Sequence, residues 1–402
     1  MRIAHIVNRM DPSDGGPPAV VARLAAAQAR AGHRVSVCAN RPRDTAEQFR
    51  RAYGAIRGFE SVPLTFFGSG RVGERLLGRA IRHELASLLA EHDFVHVHGM
   101  WQPLLLQATW QCRRAARPYC VTPHGMLCSW TMRQKTLKKR LALALAWRRS
   151  IDQAAFMQLV SDEESRQVAA LKLRPPIVVV PNGVDLEELG AADGGGSRRP
   201  DDDALPERFV LFVGRLHYSK GLDVLCEAFA LLARGDPGLE LLIVGPDFGY
   251  GRALDGAIRE RGLQSRVRVL GPVYGDEKLA LMRRALCLCH PSRQEGFSVT
   301  VLEALASGLP VVISPPCGFD AVEAEGAGLV APLDPREVAG RLAAICQDPA
   351  RRRVMGEAAT RMVRLSYTWD ALSQRLSDAY AAAIEAGHEA RPDPLHFVGG
   401  RS

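Results

Sequence analysis

The chain lacks any hydrophobic run of the roughly 18 residues that a membrane-spanning helix needs. Its first residues, MRIAHIV, lack the cleavage site of a secretory signal and have the pattern of a buried strand. Nine cysteines are scattered along the chain without a paired CxxC framework, unlike those of a disulfide-stabilised secreted protein. These absences argue against the membrane-spanning and secreted classes, and they predict a protein of the reducing cytoplasm.

Metal-binding patterns are also scarce. Apart from DDD at residues 201–203, the carboxylates are dispersed, with no other DxD pair of the kind that holds a catalytic divalent cation. Cys287, Cys289 and His290 are close in sequence, but LCLCHPS has the pattern of a buried strand, and a fourth ligand is not evident. We therefore predict an activity that needs neither a metal ion nor another cofactor.

Acidic residues are sparse in the first half of the chain, so positive charge accumulates there. Residues 1–187 contain 27 Lys and Arg against 15 Asp and Glu, whereas the net charge of the whole chain is +8. The excess peaks in residues 133–150, which hold seven cations, no acids and a short apolar run. Such a helix can rest on anionic lipid or contact a lipid diphosphate, or it can be a solvated basic face packed by its leucines. Nucleic acid is not an expected partner, because no recognition motif accompanies the charge.

Apolar strand patterns alternate with helical stretches along the chain, which indicates an α/β protein with two parallel, doubly wound sheets. At 402 residues the chain is long enough for two domains, each with its own core. Strands are expected near Ile3, Val35, Val62, Phe94, Tyr119, Phe156 and Ile177, and then near Phe209, Leu241, Val267, Leu286, Val311 and Leu329.

The best linker candidate is residues 181–206, which contain GGGS and DDD. It would separate a first doubly wound domain, residues 1–180, from a second, residues 207–367. A helix over residues 368–387 and a loosely ordered tail, residues 388–402, would complete the chain.

The most informative segment is residues 295–303, EGFSVTVLE, which places two carboxylates eight residues apart around the start of a helix. Ser298 can cap a helix that continues to Ser307, and Gly308 is a natural stop before the next strand. The unpaired N–H groups of the first turn and the positive end of the helix dipole favour a bound phosphate. Glu303 lies one turn in and points back toward the same spot, where sugar hydroxyls are the obvious donors to a carboxylate.

Two cations lie in a turn upstream of that segment. In FVLFVGRLHYSKGLDVLCEAF, a buried strand is followed by a polar turn and an amphipathic helix, and Arg215 and Lys220 occupy the turn. Open α/β sheets bind ligands at the carboxyl ends of their strands, so both cations are candidates to face one pyrophosphate. The alternative is that both are solvated loop charges.

The two motifs, in this order, resemble those of the retaining GT-B glycosyltransferases, specifically glycosyltransferase family 4, whose signature is a Glu, seven residues, then a Glu. The resemblance implies two Rossmann-like domains that face each other across a cleft. It implies that Glu295 contacts the donor sugar, that Glu303 holds the nucleotide ribose, and that Arg215 and Lys220 bind the diphosphate. The start of the helix would complete the nucleotide-diphosphate site with Phe297, Ser298, Val299 and Thr300.

A third match lies in PYCVTPHGML, where His124 follows a strand in a Pro/Gly turn. The resemblance implies that His124 lies beside the donor sugar and supports developing positive charge or a sugar hydroxyl. His96 and His98 share one face of their own strand and are expected to be packing or supporting groups. Gly15 and Gly16 precede a helix, and in the family this loop reaches over the donor phosphate and the acceptor.

Two departures from the family pattern affect the donor site. Ser298 stands where many members have Gly, and the segment Gly245–Gly251, GPDFGYG, is bulkier than the Gly-rich loop often found there. The acceptor side varies most within the family. The fragments HGMW and TPHGML look like those of bacterial exopolysaccharide or lipopolysaccharide glycosyltransferases, which implies a glycan or lipid-linked acceptor.

The resemblance thus implies a retaining, metal-independent hexosyltransferase in the cytoplasm or at the inner face of the cell membrane. It would move a sugar from a nucleotide-diphosphate sugar to an acceptor hydroxyl. No nucleophile is evident near the motifs, which fits the front-face reaction favoured for the family, with an oxocarbenium-like transition state. Two other classes stay open: a GT-B epimerase or phosphorylase, which would need other acid–base groups or a Schiff-base lysine, and a non-catalytic protein that binds membrane or a polyanion.

Overall fold

The structure is a computed structural model of the chain, and it describes residues 1–12, 16–41, 46–67, 79–134, 136–190, 205–319 and 321–389. The chain divides into two compact units. The first unit comprises Met1–Val160, Glu164–Val180 and the chain from Trp369 onward, and the second comprises Ser161–Glu163 and Pro181–Thr368. Most of the predicted linker, residues 191–204, and most of the predicted tail, residues 390–402, lie outside the described residues.

The first unit is built on a seven-stranded parallel sheet with the strand order β3-β2-β1-β4-β5-β6-β7. Its strands are β1 (Arg2–Arg9), β2 (Arg34–Asn40), β3 (Leu64–Phe67), β4 (Phe94–His98), β5 (Tyr119–Thr122), β6 (Phe156–Leu159) and β7 (Ile177–Val179). The parallel, doubly wound sheet predicted for this part of the chain is confirmed.

Helices cover both faces of this sheet, because strands buried on both sides need apolar partners above and below. The α-helices are Gly16–Arg30, Ala46–Tyr53, Arg79–Ala90, Pro103–Arg114, Ser129–Arg133, Thr136–Ala142, Arg148–Asp152, Asp162–Ala169 and Trp369–Glu389, with a 3₁₀ turn at Phe59–Ser61 and a π-helical turn at Leu143–Trp147. The terminal helix, predicted over residues 368–387, buries one stripe that contains Leu372, Leu376 and Tyr380. The ring of Tyr380 stacks on Phe94 with centroids 4.3 Å apart, so this helix completes the core of the first unit.

The second unit is built on a six-stranded parallel sheet with the order β10-β9-β8-β11-β12-β13. Its strands are β8 (Phe209–Val213), β9 (Glu240–Val244), β10 (Val267–Leu270), β11 (Cys287–His290), β12 (Val311–Ile313) and β13 (Gly328–Val330). Its α-helices are Leu186–Gly190, Leu222–Ala233, Gly251–Glu260, Gly275–Arg284, Val299–Ala306, Ala321–Ala324, Pro335–Cys346 and Pro349–Ser366, with 3₁₀ turns at Tyr218–Lys220 and Pro315–Cys317. The second predicted doubly wound sheet is therefore also confirmed.

Each sheet has one point at which the strand order reverses, between β1 and β4 in the first unit and between β8 and β11 in the second. The loops that leave neighbouring strands at such a point run to opposite faces of the sheet, and a crevice opens between them. In the second unit these loops carry Lys220 and Glu295. In the first unit, β1 and β4 bring His5, His96 and His98 together.

Candidate functional site

The carboxyl end of β11 places Glu295 against two partners in the second unit. Nζ of Lys220 forms an ion pair with Oε1 of Glu295, and Nε2 of His290 lies 3.0 Å from the same oxygen. Burial alone would raise the pKa of Glu295, but the hydrogen bond and charge of His290 and the charge of Lys220 lower it to about 2. Glu295 is therefore an oriented carboxylate at neutral pH.

His290 and Lys220 are both almost fully enclosed. Lys220 is 7% exposed and His290 is 1% exposed. Burial lowers the pKa of His290, and its hydrogen bond to the negatively charged Glu295 opposes that effect. In the sequence, His290 belongs to the buried-strand pattern LCLCHPS, which does not reveal it as a partner of Glu295. Its position as the last residue of β11, at the point of strand reversal, was the available signal.

Gly221 allows the Lys220 loop to pass close to the next loop of the site. Its φ is +67°, and a Cβ there would lie 2.0 Å from the carbonyl oxygen of Pro291. Any other residue would therefore clash with the backbone that leads from β11 to Glu295. The glycine fixes the approach of the two loops that carry Lys220 and Glu295.

Arg215 occupies the same loop but faces outward. Its side chain is exposed, and its guanidinium lies 5.2 Å from the ring centroid of Phe248. Phe248 belongs to the bulky loop Gly245–Gly251, in which Asp247 accepts hydrogen bonds from the N–H groups of three following residues, each at 2.9 Å. Arg215 is thus an exposed cation held beside an ordered turn.

Arg293 connects the loop after β11 to the turn that carries Lys220, and it was not identified from the sequence. Its guanidinium donates to both carboxylate oxygens of Asp223, at 2.8 and 2.6 Å, and to the backbone oxygen of Tyr218 at 2.9 Å. It also lies 4.2 Å from the ring centroid of Tyr218. These contacts tie the Lys220 turn to the loop after β11.

The helix predicted after Glu295 is present as Val299–Ala306, with Ser298 as its N-cap. The Ser298 hydroxyl accepts from the N–H of Val301 at 3.5 Å. Val299 is exposed and Thr300 is partly exposed, so the first helical turn is open to a ligand. The ring of Phe297 packs against Phe319 with centroids 4.3 Å apart, so a ligand contact from Phe297 would come from its main chain.

Glu303 has a partner that the sequence did not reveal. Nζ of Lys278 lies 2.7 Å from each carboxylate oxygen of Glu303. Lys278 is on the helix Gly275–Arg284, which carries no recognisable motif, so no pattern marked it.

In the first unit, His124 follows β5 with a φ of +50°, a conformation that few residues other than glycine adopt. Its side chain is half-buried, and its Nε2 lies 3.1 Å from Nδ1 of His98. His96 bonds instead to the hydroxyls of Tyr380 and Thr122, at 2.7 and 2.6 Å. Gly16 begins the helix Gly16–Arg30, and Gly15 lies outside the described residues.

The basic segment predicted at residues 133–150 forms the short helices Thr136–Ala142 and Arg148–Asp152, joined by a π-helical turn. Leu143 and Trp147 are buried, whereas Leu137, Leu141 and Leu145 are 83%, 57% and 78% exposed. The alternative that the leucines pack this segment onto the core is therefore wrong for those three. Among the helices that the structure describes, none has both the length and the hydropathy of a membrane span.

Two protein-family models match the chain. Residues 14–188 match the model described as "Glycosyltransferase Family 4", and residues 198–362 match "Glycosyl transferases group 1". The two matches cover most of both units and meet in the predicted linker.

Curated relatives and solved structures agree with the family models. A D-inositol 3-phosphate glycosyltransferase of Nocardia farcinica is 31% identical over 324 residues, covering 77% of this chain and 71% of that protein. A phosphatidyl-myo-inositol mannosyltransferase of Mycolicibacterium smegmatis is 29% identical over 398 residues, covering 96% of this chain and 95% of that protein. The structure of Anabaena HepE in complex with UDP has a TM-score of 0.73 at 21% identity, covering 95% of this chain and 100% of that chain, which shows a shared fold.

Proposed function

Because the chain belongs to glycosyltransferase family 4, whose members use nucleotide-sugar donors, we propose that it is a retaining, metal-independent sugar transferase with a lipid-linked or glycan-precursor acceptor. The observation that carries the proposal is the cluster at the strand reversal of the second unit. A buried lysine, an ionised carboxylate and an open helix N-terminus lie there on neighbouring loops.

The donor is proposed to bind with its diphosphate at the helix N-terminus. Lys220, Arg215 and the N–H groups of Val299 and Thr300 supply positive charge and donors to the diphosphate. Glu303 accepts hydrogen bonds from the ribose hydroxyls. Glu295 accepts from a hydroxyl of the donor sugar, because an ionised, oriented carboxylate is an acceptor only.

The reaction is proposed to proceed by front-face attack. The bond from the anomeric carbon to the diphosphate oxygen breaks, and the acceptor oxygen forms its bond on the same face. The departing diphosphate takes the acceptor proton, so the scheme needs neither an enzyme nucleophile nor a cofactor. Lys220, Arg215 and the helix N-terminus stabilise the leaving group most when its charge is fully developed, which lowers the barrier.

Donor binding and acceptor-dependent release of nucleoside diphosphate test this function directly. A panel of UDP-, GDP- and other nucleotide-sugars should give one preferred donor, and Glu295→Gln and Lys220→Ala should each lower turnover at least a hundredfold. Arg268→Ala, which breaks an exposed ion pair with Glu240 elsewhere on the sheet, is the matched control and should keep turnover within twofold. Conversion of the donor without an acceptor would favour an epimerase, and no donor binding by the folded protein would contradict the proposal.

The exposed leucines favour a membrane-surface location on the cytoplasmic side. Leu137, Leu141 and Leu145 project from a segment rich in cations, a combination that suits insertion among anionic headgroups. A pocket next to them has an apolar lining interrupted by Arg133, Arg140 and Arg148. Apolar walls with guanidinium groups match an acceptor that carries a lipid chain and a phosphate.

Vesicle flotation tests the membrane proposal. The protein should float with vesicles of phosphatidylcholine and phosphatidylglycerol, and less so in high salt, because headgroup attraction is screened. Replacing Leu137, Leu141 and Leu145 together by Ser should abolish flotation. Leu365→Ser alters a leucine that is 72% exposed in the second unit and serves as the control. Equal flotation of the triple variant and the wild type would rule out this surface.

A further inference from the structure

A line of hydrogen bonds crosses the interior of the first unit and ends at His124. Nε2 of His5 lies 2.7 Å from Oε1 of Gln28, and Nδ1 of His5 lies 2.9 Å from Nε2 of His98. Nδ1 of His98 lies 3.1 Å from Nε2 of His124. Gln28 and His5 are fully buried and His98 is 1% exposed, so the line runs through the protein core.

The strands and one helix bring these residues together. β1 and β4 pair in parallel, with Val7 opposite His98, so His5 and His98 lie on one face and step toward the carboxyl ends of the strands. Gln28 comes from the helix Gly16–Arg30, and His124 follows the end of β5. The line therefore connects the core with the edge where an α/β sheet binds its ligands.

Each ring in the line is neutral at pH 7. Burial lowers the pKa of His5 and of His124 to about 4, and it holds the pKa of His98 well below 6.5. A neutral imidazole has one N–H donor and one acceptor nitrogen. Each ring must then donate on one side and accept on the other, so the tautomer of one ring fixes the tautomer of the next.

Gln28 sets the direction of the line. With Oε1 of Gln28 directed toward His5, an oxygen that only accepts, His5 carries its proton on Nε2 and accepts at Nδ1. His98 then donates from Nε2 and accepts at Nδ1, and His124 donates from Nε2. This assignment leaves Nδ1 of His124 unprotonated, and no described residue bonds that atom.

We propose that Gln28, His5 and His98 form a positioning relay that fixes His124 as a hydrogen-bond acceptor at Nδ1. Such an atom accepts a hydrogen bond from a hydroxyl group and cannot donate one to a carbonyl or phosphate oxygen. The identification of that hydroxyl as one of a sugar rests on the proposed function, whereas the relay itself rests on the hydrogen bonds. Gln28, His5 and His98 are positioning residues, because they act through His124.

A metal site is the other arrangement that these rings suggest, since candidate ligand atoms of His5, His96 and His98 lie within 4.8 Å of one another. Each of their six ring nitrogens already has a protein partner. A metal on one nitrogen of each ring would have to break at least two of these bonds in a dry interior, and it would leave a hydroxyl partner of His96 unsatisfied. The geometry therefore favours the relay.

His96 provides a matched control for the test. It is fully buried, and its ring stacks on His98 with centroids 3.8 Å apart. Its own bonds run to Tyr380 and Thr122, so neither of its ring nitrogens takes part in the line, and the Tyr380 hydroxyl also interacts with the side chain of Gln28. A change at His96 disturbs the same core without breaking the relay.

Ring-nitrogen NMR of the full-length protein, labelled with ¹⁵N-histidine and free of substrate at pH 7.5, tests the relay. His124, assigned from the signals lost in His124→Ala, should show a protonated Nε2 and an unprotonated Nδ1. Gln28→Met should convert His124 to a mixture of tautomers, while His96→Gln should leave its signals unchanged. A protonated Nδ1 in the wild type, an unchanged tautomer in Gln28→Met, or displacement of the His5, His96 and His98 signals by stoichiometric zinc would each overturn the proposal. The wild-type spectrum remains decisive if Gln28→Met does not fold.

Turnover separates this proposal from the proposed function. With the preferred donor, kcat/KM of Gln28→Met should fall about tenfold, the equivalent of about 1.4 kcal/mol, and that of His96→Gln should stay within twofold. An equal loss in both variants would mean a structural effect and would overturn the relay. A wild-type protein that transfers no sugar contradicts the proposed function alone, because the NMR result does not depend on activity.

Discussion

At the residue scale, the positive charge of Lys278 orients the carboxylate of Glu303. Its ammonium donates to both oxygens of Glu303, and both side chains are about one-fifth exposed (20% and 19%). A contact of this kind holds the carboxylate in one orientation. In the proposed donor complex, Glu303 can then present its remaining lone pairs to the ribose hydroxyls without first becoming ordered.

Removing the ion pair between Lys278 and Glu303 should weaken nucleotide binding. Lys278→Met keeps the length of the side chain but loses the charge, and we expect the dissociation constant of the nucleoside diphosphate to rise about tenfold, or about 1.4 kcal/mol, by calorimetry. Lys278→Arg retains a bidentate donor and serves as the control. Tighter binding by Lys278→Met would mean that Lys278 competes with the ribose for Glu303.

The site residues that were predicted from the sequence lie in local patterns, whereas those that were missed depend on tertiary contacts. Glu295, Glu303 and Lys220 lie at strand ends and helix starts that local patterns reveal. Lys278 and Gln28 meet partners 25 and 23 residues away, and only the pairing of whole elements brings them together. Both lie on helices without a motif of their own. Supporting residues of this kind follow from tertiary packing, which one sequence does not encode locally.

At the scale of the element, the helix Val299–Ala306 combines a stabilising cap with the proposed diphosphate site. All thirteen strands and this helix were predicted, because short apolar runs and a Ser cap are short-range signals. The basic segment at residues 133–150 was predicted as one helix. It contains a π-helical turn instead, which buries Leu143 and Trp147 and leaves other leucines exposed. Such a turn depends on tertiary packing, so local sequence patterns do not predict it.

Ser298 allows the two roles of this helix to be separated. Ser298→Asp keeps a capping oxygen, so we expect the unfolding free energy to change by less than about 0.5 kcal/mol, whereas nucleoside diphosphate binding should weaken at least tenfold by charge repulsion. Ser298→Ala should lose about 1 kcal/mol of stability and bind the nucleotide with little change. Denaturant titration and calorimetry measure both quantities, and unaltered binding by Ser298→Asp would place the phosphate elsewhere.

At the scale of the whole molecule, the two units differ in their response to acid. His5 and His124 have folded pKa values of about 4, lower than the usual 6.5, so the unfolded chain binds their protons first as the pH falls. Each such group removes about 1.4 kcal/mol of stability per pH unit between about 6.5 and 4. In the second unit, burial lowers the pKa of one histidine, His290, and Glu295 loses its contribution only in a lower pH window, because its pKa of about 2 keeps that contribution intact until the pH falls below about 4.5.

The first unit should therefore become the weaker one as the pH is lowered. All five tryptophans, Trp101, Trp110, Trp130, Trp147 and Trp369, lie in that unit, so their fluorescence reports on it alone. Between pH 7.5 and 5.5 we expect the urea midpoint by fluorescence to fall more than the midpoint by circular dichroism, which reports on both units. His96→Gln, which removes one buried histidine, should make the fall of the fluorescence midpoint more similar to that of the circular dichroism midpoint. If the two midpoints fell by the same amount, the prediction that the first unit is more sensitive to acid than the second would be wrong.

The return of the terminal helix to the first unit has a consequence for synthesis on the ribosome. The first unit has the amino terminus of the chain, yet its core lacks Trp369, Leu376 and Tyr380 until the last helix is made. While the second unit is being translated, Phe94 and the neighbouring sheet face stay uncovered, a surface that chaperones and misfolding partners bind. The amino-terminal half of this protein is therefore completed only after the second unit has been made, and a nascent chain that ends at Thr368 should be held by chaperones until the helix Trp369–Glu389 is available.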